Sequence, residues 1–395
     1  MRKFLVLLLL LVLLSPLAID LYLPTIPEIA IALGSPESLI QSTIALFILI
    51  FGLGQLISGP LIDRYGRKPI AIIGILIYII GSSIAALSTT AEIFIAARIL
   101  QGVAVCCTGV VAFSGVRDRF NGTEAARAFG FLNGTLNIVP ALAPLLGGFL
   151  AEYWGWRAPF WFLALYALLI LVLVVAFLPE TRPESLKEVK KLQLNHYLHI
   201  LRHKNFMVFA LVNASSMGMV LTYVSFSPVV LMGDSGLTPL QFSLAFGANG
   251  FWIMFASYVA NYYIPKIGRP NCLKVGSLFM GVGCLGLLLG LTLLPTSLQN
   301  HWLAYMLPVA CACTGLAFMM GTATSYALEP FEKEAGTASA LVGFIQMALG
   351  AGLSLLAIYS MLPAKWALAA LMLLGCVIAL KARNTSLKLA VTTHQ

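Results

Sequence analysis

Charged residues are scarce in this chain. Asp, Glu, Lys and Arg together make up 10% of its 395 residues, while hydrophobic residues make up 60%. An ordinary soluble domain is about 25% charged. A chain with so little polar surface cannot cover a water-soluble core, so soluble enzymes and soluble binding domains are excluded.

The sequence also lacks the residue groupings of a metal or catalytic centre. Seven cysteines occur, without a C-x-x-C pair or zinc-site spacing, and we interpret them as small apolar packing residues. His196, His199 and His203 could share one helical face and bind a metal, but a solvated basic face is the favoured interpretation. Because no nucleophile, base or metal cluster has suitable spacing, we predict no enzyme, no metal site and no cofactor apart from coupling protons.

Long apolar runs, in contrast, fill almost the whole chain. A bilayer-spanning helix needs about 20 apolar residues, and the runs lack the alternation of a barrel strand. The sequence therefore predicts an all-α membrane protein with twelve transmembrane helices. The predicted spans are 4–25, 39–61, 69–89, 92–114, 128–150, 158–178, 206–232, 240–264, 273–294, 302–325, 337–361 and 364–381.

The N-terminus resembles a signal peptide, since Met1-Arg2-Lys3 precedes a leucine-rich run. However, no small-x-small cleavage site follows, and the apolar character continues to Leu23. We therefore predict that this segment is an uncleaved first helix.

The net charge of +9 is typical of nucleic-acid binding, but its placement indicates membrane orientation. With the N-terminus inside, 21 of the 24 Lys and Arg residues lie on the cytoplasmic side. The exceptions are Arg98, Arg157 and Lys365. We therefore expect a bacterial inner-membrane protein with both termini cytoplasmic, the lipid bilayer as its surroundings and no nucleic-acid partner.

The longest polar stretch divides the chain into two related halves. We predict a six-helix bundle over 1–178, a central cytoplasmic loop over 179–205 with a short interfacial helix, a second bundle over 206–382 and a tail over 383–395. A shift of 202 residues superimposes the Ile, base, Gly and Arg of Ile62 to Arg67 on those of Ile264 to Arg269. Such repetition is typical of transporters built from two similar bundles, and predicts pseudo-symmetry.

Two ionisable residues interrupt the apolar runs, Asp20 and Arg98. Each costs about 2.5 to 3.5 kcal/mol on insertion scales, so such residues usually face a cavity or a partner. Asp20 would become a proton carrier if desolvation favours its neutral form; the alternative is a side chain that reaches the outer interface. Arg98 would act by its charge, or would simply bind backbone carbonyl groups.

A third acidic residue, Asp63, stands in the polar loop between the second and third spans. It precedes Gly66 and the bases Arg64, Arg67 and Lys68. A carboxylate there could rest on a helix N-terminus or pair with bases of a neighbouring loop, and such contacts can change during a transport cycle. The alternative is a plain topological anchor, for which the bases alone would suffice.

Four motifs resemble a known family. Gly59-Pro60-Leu61-Ile62-Asp63-Arg64-Tyr65-Gly66-Arg67-Lys68 and Arg98-Ile99-Leu100-Gln101-Gly102 resemble signatures of the major facilitator superfamily. Asp20-Leu21-Tyr22-Leu23-Pro24 resembles the first-helix motif of its twelve-helix drug:proton antiporters. Ala335-Gly336-Thr337-Ala338-Ser339-Ala340-Leu341 resembles the start of the eleventh helix in their Bcr/CflA branch. The opening helix and the Cys106-Cys107 region look closest to the MdtL-type subgroup of multidrug resistance proteins.

This resemblance implies a rocker-switch exporter. Its cytoplasmic gate would comprise Asp63, Arg64, Gly66 and Arg67, with Asp63 seated near Gly336 at the start of the eleventh span. The antiporter motif of the fifth span is only partly kept, because Val139 and Ala143 stand where glycine is usual. Its matching residues and one added proline are Gly130, Pro140, Pro144, Gly147 and Gly148.

Polar and aromatic residues at mid-helix are candidates for a substrate path, although most such aromatic residues face lipid or pack. Aromatic surface with a few amides suits flat, weakly polar compounds better than sugars. We therefore expect a monomeric proton-coupled multidrug efflux antiporter for small amphipathic substrates, with phenicol-type antibiotics among them by resemblance. A metabolite transporter for a sugar or nucleoside, and a non-transporting receptor or scaffold, remain alternatives. The candidates are Tyr22, Asn133, Asn137, Tyr223, Asn249, Trp252 and Gln346.

Overall fold

The regular elements of the chain are helices throughout the part that a computed structural model describes, residues 2–120, 122–136, 138–182 and 194–392. We number the α-helices in chain order. They are α1 (Arg2–Asp20), α2 (Ile26–Ala32), α3 (Glu37–Tyr65), α4 (Arg67–Leu87), α5 (Ala91–Arg119), α6 (Gly122–Leu136), α7 (Val139–Trp154), α8 (Ala158–Phe177), α9 (Leu194–Arg202), α10 (Lys204–Pro228), α11 (Pro239–Ile267), α12 (Arg269–Leu293), α13 (Thr296–Gln299), α14 (Trp302–Leu328), α15 (Ala335–Ile358) and α16 (Ala364–Thr392).

These helices supply twelve segments long and apolar enough to cross a membrane, so the prediction of twelve spans is confirmed. The predicted interfacial helix of the central loop is α9. The last span is longer than predicted, because α16 continues beyond residue 381 to Thr392.

The first span is not the single helix predicted over 4–25. After α1 ends at Asp20, a 3₁₀ turn over Leu23–Thr25 leads into α2, and the span ends only at Ala32. Pro24 and Pro27 lie at the break. Proline has no backbone N–H and disfavours a helical conformation in the residue before it, so a continuous helix cannot pass through this pair.

The fifth span is likewise two helices, α6 and α7, instead of one over 128–150. Pro140 lies in the first turn of α7, where its missing N–H breaks no helical hydrogen bond. Pro140 therefore marks a helix start where the sequence suggested a kink.

The chain divides into two compact units, one of residues 1–192 with 238–247 and one of residues 193–237 with 248–395. In the first unit α5 packs against α1, α3 and α4. In the second, α10 packs against α14, α15 and α16, while α12 packs against α14 and α16. The domain boundaries given above stay a prediction.

Candidate functional site

The break in the first span sets the position of Asp20. Asp20 is the last residue of α1, and its side chain is only 5% exposed. The buried residues Leu21, Tyr22 and Leu23 follow, and the span continues to Ala32. Asp20 thus lies inside a segment that continues to Ala32, and both predicted roles of its side chain stay predictions.

Arg98 lies in the middle of the first unit on α5 and is 0% exposed. Its guanidinium carbon lies 4.5 Å from the ring centre of Tyr22 and 4.9 Å from that of Phe47. Its Nη1 donates a 2.6 Å hydrogen bond to Gln101 Oε1, and Gln101 Nε2 donates to Ser82 Oγ at 2.8 Å. Aromatic faces attract a cation, so the two rings offset part of the cost of burial.

The Arg98 guanidinium is only partly satisfied. Its Nε and Nη2 are buried and have no hydrogen-bond partner among the described residues. No ion pair joins Arg98 to Asp20 there. Tyr22, which follows Asp20 by two residues in the chain, lies against the Arg98 guanidinium.

Close helix packing explains how Phe47 reaches Arg98. Gly102 lies one turn after Arg98, and a methyl group there would approach the Phe47 carbonyl oxygen to 3.2 Å. Glycine at this position lets α5 approach the backbone of α3. Tyr22 is fixed from other sides, since its hydroxyl forms a 2.9 Å hydrogen bond with Thr43 Oγ1 and its ring packs 5.5 Å from that of Phe160.

The antiporter motif of α7 meets the first span directly beside Asp20. A methyl group at Gly147 would overlap the carbonyl oxygen of Leu21, so the backbones of α7 and of the break touch. On the next residue, Gly148 faces Ser243, whose hydroxyl donates to the carbonyl of Pro144 at 2.7 Å. Gly130 has open space around it, so no close approach requires glycine there.

The loop motif forms a charged cluster around Arg67, which lies at the start of α4. Arg67 pairs with Asp63 at 2.9 Å and with Asp118, near the end of α5, at 2.8 Å. The side chains of Arg67 and Asp118 are 4% and 9% exposed. Asp63 pairs with a base of its own loop motif, so the pairing with bases of a neighbouring loop stays a prediction. Its predicted contact near Gly336 stays a prediction.

Glu180 supplies the carboxylate at the N-terminus of α4. Its Oε1 accepts from the backbone N–H of Arg67 at 2.9 Å, and its Oε2 accepts from that of Lys68 at 3.1 Å. Burial acts to raise the pKa of the Glu180 carboxyl, but these donors and the N–H of Arg182 outweigh it, so the pKa lies below its ordinary value. Gly66, at φ 98°, makes room, because a methyl group there would lie 2.6 Å from Glu180 Oε2.

The second unit has a corresponding arrangement. Gly268, at φ 78°, precedes Arg269 at the start of α12, as Gly66 precedes Arg67. Arg269 pairs with Glu329, directly after α14, at 3.1 Å, and its guanidinium lies 4.2 Å from the ring centre of Tyr326. The two ion-pair side chains are 37% and 54% exposed.

The predicted substrate-path residues have different surroundings. Tyr22, Tyr223 and Asn249 are buried within their own units, whereas Trp252 is 45% exposed and Gln346 is half-buried. The Trp252 indole N–H donates to Thr314 Oγ1 at 3.0 Å. The side chain of Asn133 and the whole of Asn137 lie outside the described residues.

The histidines and cysteines make no metal cluster within the described part of the chain. The His199 and His203 rings contact the edge of Phe331, and His203 Nδ1 accepts from the N–H of Phe206, so they cap and pack α10. The side chain of His196 is not described. The cysteines are free, and four of the seven are buried.

Sequence reasoning missed several members of these sites. Gln101 carries a local signal, because it stands three residues after Arg98 and such pairs share a helical face. Asp118 and Glu180 carry none, since each contacts Arg67 across more than 50 residues of sequence.

Comparisons with known proteins agree with this geometry. A sequence model of the Major Facilitator Superfamily matches residues 8–355. The chain belongs to the major facilitator superfamily. As a member of this family it is a multi-pass membrane transporter of small molecules and not an enzyme, so these predictions are confirmed.

Two relatives and two solved structures illustrate the similarity. The chain is 36% identical to a chloramphenicol resistance protein of Pseudomonas aeruginosa, over 83% of this chain and 77% of the relative. It is 31% identical to the multidrug resistance protein MdtL of Escherichia coli O157:H7, over 88% and 86%. A D-xylose-proton symporter matches with a TM-score of 0.76 at 17% identity, covering 96% of this chain and 97% of the symporter. A peptide transporter matches with the same TM-score at 15% identity, covering 98% and 93%. At these identities the structures show the fold.

Proposed function

We propose that this transporter is a proton-driven exporter of amphipathic drugs in the bacterial inner membrane, acting as a monomer with both termini in the cytoplasm. The observation that carries the proposal is the buried carboxyl group of Asp20, placed at a helix break inside the first span. The names of the resistance proteins that are 36% and 31% identical support the direction and the substrate class.

In the proposed cycle Asp20 is the site of proton exchange. A carboxylate in apolar surroundings is disfavoured, so Asp20 binds a proton when its side of the membrane is open and releases it when access changes. Tyr22, two residues after Asp20, lies against Arg98, whose permanent positive charge favours release of the proton. One proton moving inward through 100 mV supplies about 2.3 kcal/mol, enough for roughly a fifty-fold gradient of a neutral drug.

The loop cluster around Arg67 serves as the conformational gate in this proposal. Asp63 is 47% exposed although it pairs with Arg67, so it can exchange partners without leaving a buried charge behind. The buried contacts of Arg67 with Asp118 keep the base in position meanwhile.

The test is drug-dependent proton movement in everted vesicles that contain the wild type or Asp20→Asn. We expect wild type to extrude protons from the vesicle lumen when chloramphenicol is added, and Asp20→Asn to lose this signal while inserting normally. Glu329→Gln is the matched control, because it replaces a carboxylate in an exposed ion pair with Arg269.

Persistence of proton-coupled efflux in Asp20→Asn would overturn the proposal. A response to a sugar or nucleoside panel in place of drugs would support the metabolite transporter. If neither wild type nor Asp20→Asn transports any solute, and the variant keeps the cellular function of wild type, a receptor or scaffold would be supported.

A further inference from the structure

A cavity of about 680 Å³ opens in the first unit where α1 begins and α5 and α8 end. Its wall is mostly apolar and includes Val6, Leu10, Leu173 and Phe177, while two bases, Lys3 and Arg119, lie at one end. Val6 is 48% exposed and Phe177 is 71% exposed, so the cavity opens on the surface of the unit. Its lining includes neither Asp20 nor the residues that contact Arg67, although Arg119 and Pro179 adjoin Asp118 and Glu180 in the chain.

Neither base of the cavity pairs with a carboxylate of the described residues. No described acidic side chain lies within ion-pair distance of Lys3 or Arg119. The guanidinium of Arg119 instead lies 4.8 Å from the ring centre of Phe4, which also lines the cavity. By contrast, nearby Lys68 donates to the Val175 carbonyl at 2.9 Å.

The other end of the cavity is closed by a helix contact. Tyr166, on α8, donates its hydroxyl to the carbonyl of Leu10, on α1, at 3.1 Å. From Lys3 to Leu10 the helix rises about 10 Å, which is most of one leaflet of hydrocarbon, itself about 15 Å thick. The cavity therefore has a cationic end at the helix termini and an apolar end within the membrane.

We propose that this cavity binds an anionic phospholipid, with the phosphate between Lys3 and Arg119 and part of one acyl chain against α1 and α8. Charge complementarity favours this occupant, because two uncompensated bases beside an apolar groove match an anionic headgroup attached to a chain. Its volume falls in the range of small-molecule sites. A neutral drug would leave both bases without a counter-charge.

The test is lipid binding to the purified full-length protein in detergent, measured by native mass spectrometry with phosphatidylglycerol and phosphatidylcholine. We expect wild type to prefer phosphatidylglycerol. The double variant Lys3→Gln/Arg119→Gln should weaken phosphatidylglycerol binding about 25-fold, equivalent to about 2 kcal/mol at about 1 kcal/mol for each base, and leave phosphatidylcholine unchanged.

Arg117→Gln is the matched control, since it removes an exposed base from the same end of α5 without touching the cavity. It should bind phosphatidylglycerol as wild type does. Val6→Trp, which fills the groove without a change of charge, should weaken binding of this lipid as well.

Three results would overturn the proposal. Equal binding of the two lipids would remove the role of the bases. Equal weakening by Arg117→Gln would show attraction to diffuse surface charge. Displacement of phosphatidylglycerol by chloramphenicol or by inorganic phosphate would assign the cavity to a drug or to a free anion.

Discussion

The two units contain the same kind of ion pair at a helix start, but the pair is buried in the first unit and exposed in the second. In each unit a glycine at positive φ ends one helix, and an arginine begins the next. This arginine pairs with a carboxylate at the C-terminal end of the following long helix, α5 or α14. In the first unit the Arg67 and Asp118 side chains are 4% and 9% exposed, against 37% and 54% for Arg269 and Glu329 in the second. The repeated motif thus has the same arrangement of glycine, arginine and carboxylate in both units, but its ion pair is buried in only one of them.

The cap at the helix start differs for a specific chemical reason. Glu180 accepts from the N–H of Lys68, whereas the corresponding residue of the second unit is Pro270, which has no N–H to donate. The second unit therefore presents one donor fewer at this helix start.

The largest contrast is expected from loss of the arginine. Arg67→Met should lower the free energy of unfolding by about 3 kcal/mol, because it leaves Asp118 largely buried without a counter-charge. Arg269→Met should cost less than about 1 kcal/mol, since its pair is exposed. Unfolding by SDS in mixed micelles measures both, and equal losses would contradict the comparison.

A smaller contrast is expected at the glycines. Gly66→Ala and Gly268→Ala both force a side chain into a backbone conformation that costs of order 1 kcal/mol or more. Only Gly66→Ala also collides with Glu180, so it should cost about 1 kcal/mol more in the same assay. Adding Glu180→Ala should relieve this excess in a double-mutant cycle; strictly additive losses would show that the collision does not matter.

The smallest effect concerns pH. The folded state lowers the pKa of Glu180. The stabilisation by its ionised carboxyl group is therefore fully present above the ordinary glutamate pKa of about 4.3, and it is lost as pH falls through the lower pKa of the folded state. Glu180→Gln should therefore lose less stability than wild type when the pH is lowered from about 5 to about 3. The effect should stay below about 1 kcal/mol, because the carboxyl is largely exposed. An identical pH profile for Glu180→Gln and wild type would refute the cap.

The sequence predicted the spans well because apolar length alone decides them. The sequence identified three basic residues outside the cytoplasmic side but gave no reason for them. The structure shows a contact for each. Arg98 lies between two aromatic rings, Arg157 donates to the Ser88 carbonyl at 3.2 Å, and Lys365 pairs with Asp234 at 3.3 Å. Of the three, Lys365 pairs with a carboxylate, whereas Arg98 and Arg157 are contacted by aromatic rings and a carbonyl group.

The candidate site was only partly predictable. Asp20, Arg98 and Asp63 stand out because a charge in or beside an apolar run is costly, and this signal needs no knowledge of the fold. The breaks of the first and fifth spans could have been predicted only from the positions of the prolines. In the first span, Pro24 and Pro27 carry that signal. Glu180 could not be found, because its contact with Arg67 depends on how α8 ends relative to α4.

The contact of Gly147 with the Leu21 carbonyl joins two main chains with no side chain between them. Side chains absorb small displacements by changing rotamer, and a glycine against a carbonyl oxygen has no such freedom. In the proposed cycle, a displacement of α7 at Gly147 would therefore move the peptide unit next to Asp20. This contact would link movement of the fifth span to the proposed site of proton exchange in the first.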